Sequence, residues 1–384
     1  MNAPIQFLWR DRGISKEFQA GVSLHSHTMY SEESLAMVPH YTAKVPYLGA
    51  AIRKHAQEYH LAKSDRLDFG RAFWTPPLTP RQAHRLEEKQ IQSAFVLPGL
   101  VSLTDHDDIR AGSHLQLLER FSHAPVSTEW TVPFGPTYFH VGVHNLPAVN
   151  ATIIMEELKA FTANPQEVRL GGLFSMLNTY RDVLLVLNHP LWDEKKIGVS
   201  EHAQVLGRLV ERHGRSFHAL ELNGLRSWEE NRQVIWLGRQ AGLPIVGGGD
   251  RHGLEPNAIV SLTHGRNLVE FIHEVRYARF SHTVFMPQYR EPLKLRVLQT
   301  IADVVRDYPD NFEGRRLWSD RVFFRPSGDA EPIPIGSMWK TGGPTVVRQF
   351  IGAMRLIERR SVRSALRLAL NDRASVWSDQ EVAV

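Results

Sequence analysis

From about residue 20 to residue 285, short apolar runs alternate with longer stretches whose apolar positions recur at helical spacing. VSLHSH (22–27), GLVSLTDH (99–106), PVSTEW (125–130), YFHVGVH (138–144), VLLVLNH (183–189), ALELNG (219–224) and PIVGGGDRH (244–252) read as strands. Ser227 and Glu230 form a capping-box pattern that opens a helix ending at Gly242, and another helix runs from about Ser200 to Gly214. Strands alternating with helices predict a parallel α/β architecture, either a barrel or a doubly wound sheet.

Two segments break the alternation. Residues 34–97 contain FWTPPLTPRQAHRLEEKQIQ, where prolines interrupt the chain and a helix restarts near Thr79, so this segment reads as an insertion after the first strand. Beyond residue 286 a Pro/Gly-rich link, RPSGDAEPIPIGSMWKTGGP (325–344), leads to a helix expected over 345–370. The chain is thus expected to hold a barrel over 1–285 and a C-terminal extension over 286–384.

Composition is that of a globular protein, with 42% hydrophobic and 22% charged residues, a net charge of +4 and a pI of about 9.3. The basic residues are spread along the chain, so a nucleic-acid footprint is possible but not favoured. There is no cysteine, which excludes disulfides and thiolate ligands and leaves nitrogen and oxygen for any metal. The first residues, MNAPIQFLWRDRG, lack the apolar core of a signal peptide, and no run is long enough to span a membrane, so a cytoplasmic location is expected.

Histidine is the unusual residue, at 19 copies. The first strand carries His25 and His27, followed by Glu32; the second ends in Thr104-Asp105-His106-Asp107; Glu129 closes the third and His140 lies on the fourth. The fifth ends in Asn188-His189-Pro190, and the seventh in Asp250-Arg251-His252. Residues i and i+2 of a strand project to one side, so His25 with His27, and Asp250 with His252, can grip one ion. In a parallel barrel the carboxyl ends of the strands converge on one face, which would gather these side chains into one cluster. Imidazole with carboxylate suits Zn²⁺, Mn²⁺ or iron.

The ordered set H-x-H…E, T-D-H-D, Glu, His, N-H-P, D-x-H resembles the PHP (polymerase and histidinol phosphatase) family over residues 20–285, outside the insertion. The resemblance implies a distorted seven-stranded (β/α)7 TIM-like barrel and a phosphoesterase with two or three divalent metal ions. It places His25, His27, Glu129 and Asp250 on the first ion, Glu129, His140 and His189 on the second, and Glu32, His106 and His252 on the third. Glu32 stands where the family more usually has an aspartate, and Arg251 lies inside the D-x-H.

Three divalent ions against Glu32, Glu129 and Asp250 leave a charge of about +3, which suits a bridging hydroxide and an anionic phosphate together. Glu129 and Asp250 hold the reacting centre on this reading, and the general-acid candidates are His144 and Asp107. Arg251 is a candidate phosphate clamp, although strand alternation points it away from Asp250 and His252. Arg181 is a second candidate for substrate binding, while Lys195 and Lys196 flank the fifth strand as solvated cations. Asp105, Asn188 and Asn223 are expected to orient ligands.

The insertion, with His40, His55, His60, His84 and the pair Phe73-Trp74, lies where a lid or specificity wall would sit. The last helix shows an apolar face of Val347, Phe350, Ile351, Met354, Ile357, Val362, Leu366 and Leu370. A second face carries Arg355, Arg359, Arg363 and Arg367, and this helix could dock on the barrel or mediate homo-oligomer contacts. The leading expectation is a metal-dependent phosphoesterase acting on a small phosphorylated molecule. The alternatives are a nuclease-like phosphodiesterase and a metal-stabilised binding module without turnover.

Overall fold

A computed structural model describes residues 5–11, 13–43, 50, 54, 57, 68–326, 331–339, 343–357 and 359–370. The strands are β1 (Ile5–Phe7), β2 (Ala20–Ser26), β3 (Glu33–Ser34), β4 (Ala72–Trp74), β5 (Gly99–Val101), β6 (Val126–Phe134) and β7 (Thr137–Leu146). They continue as β8 (Leu184–Asn188), β9 (Ala219–Asn223), β10 (Ile245–Arg251), β11 (Ile259–Thr263), β12 (His282–Phe285), β13 (Val322–Phe324) and β14 (Ile333–Pro334). The helices are α1 (Val38–Ala43), α2 (Pro80–Phe95), α3 (Arg110–Gln116), α4 (Ala151–Ala163), α5 (Glu167–Thr179) and α6 (Val199–His213). Then come α7 (Trp228–Ala241), α8 (Leu268–Arg276), α9 (Leu293–Val304), α10 (Ile335–Met338), α11 (Thr345–Ile357) and α12 (Arg360–Ala369).

Local chemistry sets several of these limits. Thr79 and Gln82 cap α2 reciprocally with Pro80 in its first turn. Ser227 accepts from the Glu230 amide to open α7, and Gly242, at φ +64°, closes it. Strands β2, β8, β9, β10 and β11 are buried on both faces, so the polar side chains they carry must find partners inside the fold.

The central sheet runs β1-β12-β11-β2-β10-β9-β8-β7-β6, with β5 also on β2. Pairing is parallel for β2–β10, β10–β9, β9–β8 and β2–β5. The expectation of parallel strands throughout is corrected at β7, which is antiparallel to both β6 and β8. Gly135, at φ +60°, lets the chain turn back at once after Phe134, so β6 and β7 form a hairpin with no helix between them. Past β5 the backbone bonds on both sides: Ser102 N to Ser23 O (3.0 Å) and Thr104 N to Ser26 O (2.9 Å), then Glu129 N to Asp105 O (3.1 Å) and Asp107 N to Glu129 O (2.9 Å). Residues 102–107 thus lie between β2 and β6.

Behind β6, Trp130 is fully buried against Phe161 and Phe174 and donates its indole N–H to Leu158 O (3.2 Å). Alternation along β6 therefore turns Glu129 to the opposite side, away from this packed layer.

The insertion and the extension meet in a second sheet, β14-β13-β4-β3, where the Phe73 and Phe323 rings stack 5.0 Å apart. Of the insertion's histidines, His84 is buried beside Phe121 and His40 is exposed, while His55 and His60 lie outside the described residues. The helix expected over 345–370 is two helices, because Arg359 takes an extended backbone (φ −69°, ψ 127°) before α12. Three arginines of the row are paired: Arg355 with Asp307 (2.6 Å), Arg363 with Glu255 (2.8 Å) and Arg367 with Glu291 (2.5 Å). No helix among the described residues is long and apolar enough to cross a membrane.

His218 anchors the start of β8, accepting from Leu185 N (2.9 Å) and donating to Asn178 Oδ1 (2.8 Å). Burial, helped by Arg276 and Arg279, lowers its pKa from 6.5 to about 3. Its folded pKa lies below the unfolded value, so its contribution is complete above pH 6.5 and lost as pH falls from there towards 3. The thermal midpoint is expected to fall more steeply below pH 6.5 in wild type than in His218→Gln; parallel melting curves would refute this anchor.

Candidate metal centre

His25 lies in β2 and His27 directly follows it, and both are buried. Glu129, in β6, stands between them and the histidines of β7 and β8. Its Oε2 lies 3.0 Å from His25 Nε2, 3.4 Å from His27 Nε2 and 3.3 Å from His106 Nδ1. Its Oε1 lies 3.5 Å from His140 Nδ1 and 3.2 Å from His189 Nε2, and accepts from Asn188 Nδ2 (2.9 Å). Asp250 Oδ1 completes the inner group at 3.6 Å from His25 Nε2 and 3.5 Å from His27 Nε2. His140 joins for a reason other than the one expected. It sits near the start of β7, and because that strand is reversed it pairs with Asn188 at the carboxyl end of β8.

Hydrogen bonds fix which ring nitrogen carries a proton. Glu221 Oε1 faces His25 Nδ1 at 2.5 Å, so that nitrogen donates, and in the neutral imidazole Nε2 is left with its lone pair. Ser31 Oγ spends its only proton on Glu33 Oε1 (2.7 Å), so His27 Nδ1 donates to Ser31 (3.1 Å) and its Nε2 is bare as well. These two lone pairs face each other across 3.1 Å, with carboxylate oxygens of Glu129 and Asp250 beside them. Glu129 Oε2 is buried with no hydrogen-bond donor. His252 repeats the pattern: Nδ1 donates to Asp250 O (2.8 Å) and Nε2 points at Glu33 Oε1 (3.1 Å). Facing lone pairs and carboxylates repel unless cations or extra protons lie between them, so the donor set fits divalent metal.

The titration behaviour has the same origin. Burial opposes ionisation of Glu129, but His25, His106 and His140 outweigh it and hold the carboxyl well below its usual range. Burial likewise opposes the charge on Asp250 and Glu33, which the surrounding histidines hold low. Burial pulls His27 down to about 3 and His140 down to about 4. His25, His106 and His252 are raised against burial by their carboxylate neighbours. Burial also pushes Asp105 up to about 7, opposed by Thr28, whose amide (2.5 Å) and hydroxyl (2.7 Å) it accepts from. Through those bonds Asp105 holds the turn after His27. His25, Asp107, His189 and Asp250 all have left-handed backbone, at φ 62°, 48°, 26° and 54°. Such conformations are costly for residues with a Cβ and gather at functional sites.

Several expectations are corrected. The carboxylate brought to His27, His106 and His252 is Glu33, not Glu32. Adjacent residues entering a strand face opposite ways, and Glu32 is turned outward onto Arg325. Arg251 is buried, bonded to Glu87 (3.0 Å), Gly253 O (2.8 Å) and His27 O (2.8 Å), so it braces the fold and cannot clamp a phosphate. Arg181 precedes β8, at the end remote from His189, and is exposed. His144 lies two strand steps beyond His140, buried on Ser102 Oγ (2.8 Å) and not among the residues that line the cavity, and burial lowers its pKa to about 3. Lys195 and Lys196 are exposed, as solvated cations would be, and also lie over the rings of Tyr138 (5.0 Å) and Trp192 (3.9 Å).

Asn188 Nδ2 donates to Glu129 Oε1 (2.9 Å), and Asn223 Nδ2 reaches Glu221 Oε2 (3.0 Å) and Asp250 Oδ2 (3.4 Å). Sequence reasoning missed Glu221, which also accepts from His189 N (2.9 Å). The signal was a lone carboxylate in ALELN, an otherwise buried strand where a charge must have partners. It missed Arg226 too, which stacks on Trp192 (3.9 Å) and stands 3.7 Å from Asp250. Gly248 makes room for Glu221, since a Cβ there would collide with its carboxylate. Glu221→Gln is expected to weaken metal binding about 10- to 100-fold by loosening His25, with the fold retained. Unchanged affinity in a competitive chelator titration would show that His25 needs no such support.

A cavity of about 790 Å³ opens beside His106 and His140, and Asp107, Tyr138, Arg110 and Lys159 also line it. Asp107 Oδ1 accepts from Thr131 N (2.9 Å), and burial raises its pKa.

No family profile and no curated protein matches the chain. Solved structures do match in part. A proposed metal-dependent phosphoesterase from Bifidobacterium adolescentis is 13% identical, with a TM-score of 0.36 over 68% of this chain and 96% of that one. PsfC from Pseudomonas syringae is 17% identical, with a TM-score of 0.37 over 58% and 87%. An amidohydrolase from Chromobacterium violaceum, with bound sulfate and no metal, is 12% identical, with a TM-score of 0.34 over 60% and 87%. Overlaps this low establish neither a reaction nor a substrate for this chain.

Proposed function

We propose that this protein is a metal-dependent hydrolase of the PHP type, a phosphoesterase acting on a small phosphorylated molecule. The observation that carries the reading is the convergence of bare Nε2 lone pairs from His25 and His27 with oxygens of Glu129 and Asp250. The strands β2, β5, β6, β7, β8, β9 and β10 are read as a distorted seven-stranded barrel, supported by the bonding of residues 102–107 to β2 and β6. His25, His27, Glu129 and Asp250 would hold one ion, Glu129, His140 and His189 a second, and Glu33, His106 and His252 a third. Zn²⁺, Mn²⁺ and Fe²⁺ all suit this mixed donor set.

When bound, such ions would supply Lewis acidity towards phosphate oxygens and a water ionised near neutral pH. The chain itself does the rest. Glu221, Asn188, Asn223 and Asp105 fix the cluster's side chains and turns so that nothing need reorganise on substrate binding. Asp107, fixed by Thr131 and facing the cavity, is the proposed proton donor to the leaving oxygen as water adds to phosphorus and the P–O bond breaks. Purified protein reconstituted with Mn²⁺, Zn²⁺ or Fe²⁺ should release phosphate from at least some members of a phosphomonoester and phosphodiester panel. No turnover with any of these ions would overturn the phosphoesterase reading.

A further inference from the structure

The cavity beside His106 and His140 is far larger than a phosphate group needs. Its cations are not equivalent. Arg110 grips Asp108 through Nε (2.8 Å) and Nη2 (2.6 Å), and Arg325, reaching in from the C-terminal extension, is held by Glu32. Lys159, on α4, makes no hydrogen bond or ion pair among the described residues. Lys159 is exposed and lines the cavity together with Asp107, His106 and His140. Glu156, one turn earlier on the same helix, also lines the cavity without a partner among the described residues.

We propose that the substrate carries a second anionic group, a phosphate or carboxylate beyond the scissile phosphate, and that Lys159 receives it. This rests on the phosphoesterase reading and adds the substrate class to it. An ammonium on the cavity wall adds a charge-assisted contact for a substrate that carries a second anion and none for one that lacks it. Glu156 would set the position of that group by repelling it from the outer turn of α4.

The test uses non-hydrolysable ligands, so it does not depend on turnover. Metal-loaded protein is titrated calorimetrically with alkane-α,ω-bisphosphonates and ω-carboxyalkylphosphonates of two to six carbons, each against the matching alkylphosphonate. At one chain length wild type should prefer a doubly anionic ligand by about tenfold. Lys159→Met should abolish the preference, Lys159→Arg restore most of it, and Glu156→Gln increase it. Which series shows the preference tells phosphate from carboxylate. No preference at any length, a preference that survives Lys159→Met, or a parallel loss for singly and doubly anionic ligands would overturn the proposal. The last result would put Lys159 on the scissile group. The phosphoesterase reading fails separately, on absence of alkylphosphonate binding together with absence of ester turnover.

Discussion

Glu129→Gln should strip the protein of bound divalent metal and lower its ester turnover by more than about 10³-fold. Among the described residues, Glu129 is the carboxylate that meets His25 and His27 through one oxygen and His140 and His189 through the other. Glutamine has nearly the same shape, so the side chain still fits and Asn188 keeps a neighbour to bond. The amide removes the negative charge, and its N–H₂ would point at lone pairs that a cation needs. Folding should survive, because glutamine fills the same space and keeps Asn188 as a partner. The metal-free variant is expected to melt below the metal-free wild type, because it loses the carboxylate that pairs with His25 and His106. Retained metal and turnover in Glu129→Gln would mean that the ions, if present, lie elsewhere.

Glu33→Gln should cost about 10²-fold in turnover and about one ion per chain, whereas Glu32→Gln should stay within about threefold of wild type. Glu33 lies 3.1 Å from His252 Nε2 and 3.4 Å from His106 Nε2 and is buried, while Glu32 is engaged with Arg325 at the cavity rim. Metal stoichiometry on both variants, read beside turnover, checks the pair. Equal effects, or a larger loss in Glu32→Gln, would show that β3 is oriented otherwise in solution.

That contrast marks where the sequence stops being readable. His25, His27, Asp250 and His252 were legible as candidate ligands from their residue types at strand ends, but His25 and Asp250 take left-handed backbone (φ 62° and 54°), so strand alternation does not fix their direction. Glu32 and Glu33 follow a turn, which resets that parity, and the strand they enter is only Glu33–Ser34. Nothing local to SEES says which glutamate faces inward. The partner of that strand, β4, is three residues long, and its other neighbour, β13, comes from the C-terminal extension. Runs that short carry no period for a pattern to reveal. Glu221 could have been found, since ALELN places a carboxylate where everything around it is buried. Arg251 is the opposite case. Its chemistry suggested a phosphate clamp, while alternation within D-x-H pointed it away from the cluster, and the alternation proved the better guide. The reversed course of β7 was hidden because His140 is legible as a strand residue whichever way the strand runs.

The central claim is that the converging histidines and carboxylates hold metal. Elemental analysis of purified protein, reconstituted with Mn²⁺, Zn²⁺ or Fe²⁺ and desalted, tests it most directly. Wild type should retain about two to three divalent ions per chain and Glu129→Gln close to none. Wild type that retains no more metal than Glu129→Gln would contradict it.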